Sequence, residues 1–187
     1  MIVNDANARR KVALIAFAIC AACQVILAPN LPLANGRPNF MLIFAGSMAL
    51  CYGGTFGILA SFGAGLFFDI VSSGPVGLMA FLLTLMAAVI GREDRNVIAD
   101  ATPQALRIFC LAAPAVELAA QLVLMAIGQG GALLDTLGLR WLPASVLDMV
   151  FFLPFLLFLS RTGSRSPQLG KKKTGGLKRS KISTRGL

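Results

Sequence analysis

Six apolar blocks fill most of the chain, and no soluble fold buries that much uninterrupted hydrocarbon. They cover residues 12–28, 40–52, 55–71, 76–90, 105–127 and 142–160. The first follows Arg9-Arg10-Lys11 and ends at Pro29. That layout is like a signal peptide, but no small-x-small cleavage site opens a soluble domain behind it. We therefore read it as an uncleaved first span. Gly53 and Gly54 divide the second block from the third by a tight turn rather than a loop. Thr102-Pro103 supplies an N-cap and a first helical position for the fifth. Several blocks fall short of the roughly 20 residues that cross a bilayer. The second and third are the shortest in combination, and read as two spans or as one re-entrant pair. Runs without alternation exclude a β-barrel, and hydrocarbon then admits only helices. The expected fold is an all-α integral membrane protein, a polytopic bundle of about six transmembrane helices over residues 1–160.

The remaining composition narrows the chemistry. Only 13% of the 187 residues are charged and 57% are apolar, against about 25% charged in soluble domains. Histidine is absent, which removes the commonest general base and metal ligand. Cys20, Cys23, Cys51 and Cys110 all lie inside apolar blocks. Cys20 and Cys23 have redox or zinc spacing, but they share one span and no second ligand pair accompanies them, so they read as small packing residues. There is no phosphate loop and no nucleophile with an evident base. We expect no enzyme, no metal site and no cofactor.

Charge placement sets the topology. Under six spans, Arg9, Arg10, Lys11, Arg92, Arg95, Arg107 and nine tail residues share one side, 15 of the 17 basic residues, with Arg37 and Arg140 opposite. Basic short loops stay cytoplasmic, so both termini are expected in the cytoplasm, and a five-span chain would separate the two basic ends. The connections 29–38, 72–75 and 128–141 then lie outside.

The tail, residues 161–187, has nine basic residues and no acidic one, and its polar composition reads as disordered. Nucleic-acid binding is the sharper interpretation of such a run. Its place just after the last span favours anionic lipid instead, at ~1 kcal/mol per basic residue, with Lys171, Lys172, Lys173, Lys178 and Arg179 on headgroups. An acidic cytoplasmic partner is a third option.

Gly53, Gly57, Ser61, Gly65 and Asp69 recur every four residues, so one side of the third segment is nearly bare backbone. Such small-residue faces let membrane helices approach closely. Asp69 ends this row near the exit of the span. It reads either as a cap for backbone amides around Ser72 and Ser73, or as a polar contact to another helix or a partner protein. Two acids lie deeper, Glu117 with Gln121 one turn on, and Asp148 in the sixth block. Intramembrane acids face a bundle interior or a cavity. These three form a possible polar cluster, either a proton or substrate path or neutral hydrogen bonds between helices.

The stretch GTFGILASFGAGLFFDIVSSGPVGLMAFLLTLMAAVIG, residues 54–91, resembles the central signature of the rod shape-determining protein MreD family. That signature is a glycine-rich helix ending in aspartate, a Ser/Gly turn, and a Pro-x-Gly-Leu step into a leucine-rich span. The matching positions are Gly57, Gly65, Asp69, Ser73, Gly74, Pro75, Gly77 and Leu78, and Arg37-Pro38-Asn39-Phe40 fits the approach to the second span. Residues 37–95 carry the resemblance. The basic tail and the acids of the fifth and sixth blocks lie outside it.

The resemblance implies a non-enzymatic scaffold subunit of the bacterial cell-elongation machinery in the cytoplasmic membrane. Its implied partners are an MreC-like protein and, through it, MreB, RodA and a class B penicillin-binding transpeptidase. Gly57, Ser61, Gly65, Asp69, Gly74, Pro75 and Gly77 are the helix-packing or partner-interface residues it points to. The family is also similar in fold to the substrate-binding subunits of energy-coupling-factor transporters. A vitamin-type small-solute subunit is therefore the alternative, with Glu117, Gln121 and Asp148 converging on an enclosed pocket.

Overall fold

Turn chemistry decides where each helix begins. In the computed structural model, which describes residues 2–33, 35–91, 102–129 and 136–163, Pro38 precedes Asn39, whose side chain accepts from the amide of Leu42 at 3.1 Å. This N-cap starts the second of six helices among the described residues. In order they are α1 (Ile2–Ile26), α2 (Phe40–Cys51), α3 (Gly54–Val71), α4 (Leu78–Ile90), α5 (Thr102–Ala126) and α6 (Leu142–Gly163). A 3-10 turn, Ala28–Asn30, follows α1, and a wide π turn, Thr136–Trp141, leads into α6. There is no strand among the described residues.

Two of the six helices are short. Arg9–Asn30, Gly54–Val71, Leu106–Ala126 and Gly138–Leu157 are long and apolar enough to cross a membrane, whereas α2 and α4 have 12 and 13 residues. At 1.5 Å per residue these two reach about 18–20 Å, against ~30 Å of hydrocarbon. The second and third blocks are separate antiparallel helices joined at Tyr52-Gly53. Gly53 and Gly54 both take positive φ there, 50° and 54°, which other residues adopt at a steric cost. The tail beyond residue 163, with its five proposed headgroup-contact residues, lies outside the described residues.

The surface is largely apolar, and polar side chains are buried within an apolar core. Leu111, Val76, Ile70 and Leu59 are about 70% exposed, while Asn39, Ser47, Ser61, Asp69, Glu117, Gln121, Ser145 and Asp148 are buried. That inversion is what a lipid solvent selects. The centre of the bundle is α2, buried from Phe40 through Leu50. Phe17 meets Phe44 and Phe67 edge-on, both at 5.6 Å. Gly46 leaves room for the ring of Phe109, which a Cβ would strike at 2.6 Å. Phe109 in turn stacks on Phe152, tying α2, α5 and α6 together.

The connections gather at the two ends of the bundle. At one end the amide of Asn35 donates to the Leu139 carbonyl at 3.0 Å, and Gly36 lies against the backbone of Ala144 and Arg140. The α3–α4 turn shares this end, because Ser72, Ser73, Gly74 and Pro75 line one cavity with Arg37 and Arg140. At the other end Gly91, which closes α4, sits against the Gly53-Gly54 turn.

Candidate functional site

The small-residue row of α3 faces two helices in succession. A Cβ on Gly57 would stand 3.2 Å from the Met48 carbonyl, and the Ser61 hydroxyl donates to the Ala45 carbonyl at 3.3 Å. Both contacts are with α2. One turn further, a Cβ on Gly65 would come within 2.6 Å of the Ala80 amide nitrogen and the Met79 carbonyl. Backbone therefore meets backbone where α3 crosses α4, and α3 is the seam between the two short helices.

Asp69 closes that seam. Its Oδ1 accepts from the amide of Met79 at 3.0 Å, and its Oδ2 from those of Gly77 at 2.8 Å and Ala80 at 3.0 Å. The first turn of a helix leaves its amides without intrahelical partners, and the helix dipole adds partial positive charge there. A carboxylate supplied from α3 answers both needs for α4. The capped amides are those at the start of α4 and not those around Ser72 and Ser73. Gly77 takes φ +100° to aim its own amide inward. Pro75 contributes a carbonyl to Leu78 at 3.4 Å, and a Cβ on Gly74 would meet the Ser72 hydroxyl at 3.8 Å.

A second polar centre lies at the start of α2. The Asn39 amide donates to Asp148 Oδ1 of α6 at 2.6 Å, and its Nδ2 donates to Glu117 Oε1 of α5 at 3.1 Å. The next amide, Phe40, donates to Gln24 Oε1 of α1 at 2.8 Å. Four helices thus converge on one N-terminus, whose orphan donors are satisfied by side chains from far along the chain. Asp148 Oδ2 is fully buried and has no hydrogen-bond partner among the described residues. Beside this centre, Trp141 Nε1 donates to the Pro114 carbonyl at 2.9 Å, pinning the π turn to α5.

The three deep polar residues separate here. Glu117 and Gln121 line a cavity of about 670 Å³ that also reaches Gln24, Asn39 and Asp69. Asp148 is not on that cavity and is held on Asn39 instead. Asn39 and Gln24 are the residues that joining the acids required. Pro38-Asn39 before an apolar run is an N-cap signature, whereas Gln24 is a lone amide in a long block, and its partner is visible only in three dimensions.

Fold and site together define a class: a polytopic helical membrane protein whose buried polar side chains cap two short helices from their neighbours. The model of the rod shape-determining protein MreD family matches residues 8–161. The chain belongs to this family, whose role is in determining rod shape. The match extends past residues 37–95 to take in the first, fifth and sixth helices. No curated protein and no solved structure matched the chain.

Proposed function

We propose that the protein is a non-enzymatic membrane scaffold that couples an MreC-like protein to the peptidoglycan synthase, RodA with its class B transpeptidase, and through MreC to MreB. Family membership over residues 8–161 is the observation that carries this proposal. The seam residues Gly57, Ser61, Gly65 and Asp69 are buried against α2 and α4 of this same chain, so their part in the scaffold is to hold α3 in place, with the Gly74-Pro75-Gly77 turn at its end. The exposed α3 flank of Leu59, Phe62, Leu66 and Ile70 adjoins that seam and offers a partner helix an apolar surface. Both termini lie in the cytoplasm of a bacterial cell, which the basic-residue asymmetry supports, and the basic tail rests on anionic lipid. Affinity purification of the tagged chain from native membranes tests the coupling. Recovery of an MreC-like protein and the synthase is expected, and recovery of an ATPase module in their place would refute it.

The cavity beside Glu117 and Gln121 is the observation that favours the second proposal, a small-solute subunit. Asp148 stands off that cavity, so the three polar residues do not converge on one pocket as such a subunit would want.

A further inference from the structure

Arg37 and Arg140 are the two basic residues that the charge pattern separates from the other 15, and both line the same cavity. Their backbones are packed side by side. The Asn35 amide bonds to the Leu139 carbonyl, and a Cβ on the adjacent Gly36 would stand 2.8 Å from the Arg140 carbonyl. Both side chains are exposed, and neither forms an ion pair among the described residues. Two guanidinium groups at one rim with no ion-pair partner repel each other, and an anion between them offsets that cost.

The acids nearby are already engaged. Both oxygens of Asp69 are occupied by the three α4 amides. Glu117 accepts from Asn39 and attracts Arg140 from beyond ion-pair distance. Gln121 adds an amide to the wall beside them. Phe68, Val71, Leu78, Met79 and Leu124 add apolar surface to the cavity lining. At about 18–20 Å, α2 and α4 are about 10 Å shorter than ~30 Å of hydrocarbon, and the cavity lies at their N-terminal ends.

We propose that this cavity is a binding site for a phosphate-bearing ligand clamped between Arg37 and Arg140. Guanidinium groups match phosphate oxygens in a planar, two-point geometry. The shared chemistry is the phosphate group, whether it arrives on a lipid or free in water.

The experiment is native mass spectrometry of the full chain in neutral detergent, titrated with phosphatidylglycerol and, in parallel, with diacylglycerol as the phosphate-free control. Phosphatidylglycerol is expected to be retained and diacylglycerol lost. Arg37→Gln with Arg140→Gln should weaken retention by about tenfold or more. Arg107→Gln, near the opposite end of α5, should leave it unchanged. The replaced arginines are exposed, so the thermal midpoint without lipid should stay within experimental scatter and loss of binding reports on the site. Competition by inorganic phosphate would identify the free anion as a ligand, while its absence would identify the lipid headgroup. Equal retention by the double variant and the parent, or no binding of either phosphate probe, would overturn the proposal.

Discussion

The backbone amide of Asn39 and the carboxylate of Asp148 meet at 2.6 Å although 109 positions separate them. The Asn39 side chain also caps its own helix and donates to Glu117, so one residue, through its backbone and its side chain, joins α2, α5 and α6. Asn39→Ala removes the cap and leaves Glu117 without its donor. A cap is worth ~0.5–2 kcal/mol, and polar bonds between membrane helices average ~0.6 kcal/mol. Destabilisation of about 1–3 kcal/mol is expected by reversible unfolding in detergent. Asp148→Asn keeps an acceptor for the Asn39 amide and alters only the oxygen that has no partner, so a change under about 1 kcal/mol is expected. Asp148→Leu removes the acceptor and should match Asn39→Ala.

At Asp69 the three accepted amides change what a substitution does. Asparagine has one acceptor oxygen and presents an NH2 group to donors, so it fails to replace a carboxylate that uses both oxygens. Asp69→Asn and Asp69→Ala should therefore both destabilise α4, by ~1 kcal/mol or more for each amide left buried and unpaired. Hydrogen exchange at Met79 and Ala80 checks this, with faster exchange expected in both variants and the larger change in Ala.

Gly65 and Gly63 form an internal pair of tests. A methyl on Gly65 meets the backbone of Ala80, while one on Gly63 has open space. Overpacking of a close seam costs about 1–3 kcal/mol. Gly65→Ala should lower the unfolding midpoint and Gly65→Leu should lower it further, whereas Gly63→Ala should be neutral.

Much of this was legible in the residues, for identifiable reasons. The apolar blocks place six helices because lipid permits no other spanning backbone, and Gly53-Gly54 marks the α2–α3 turn because two successive positive φ angles favour glycine. The row Gly57-Ser61-Gly65 points to close packing, but not to its division between α2 and α4, which depends on where the helices cross. Asp69 has the look of a cap, but its target lies 8–11 residues ahead, beyond the reach of local turn rules. The Asn39 centre was harder still. Its partners come from residues 24, 117 and 148, and no spacing rule connects them. Helix starts were also blurred: α1 begins at Ile2, ahead of its apolar block, because polar residues extend a helix beyond the stretch that lipid selects.

Topology gives a further expectation. With both termini cytoplasmic, single cysteines placed at Asn35 or Ser73 in a cysteine-free background should react with an impermeant thiol reagent from outside. A cysteine at Gly91, on the opposite end of the bundle, should stay protected until the membrane is opened. Labelling of Gly91 first would invert the orientation.

Depletion of this protein in the bacterium that makes it, followed by microscopy of cell width and length, bears on its role in rod shape without any assumption about partners. Cells should widen and round as the protein is lost, and a plasmid copy should restore them. Rods that keep their dimensions after complete depletion would contradict the role assigned here.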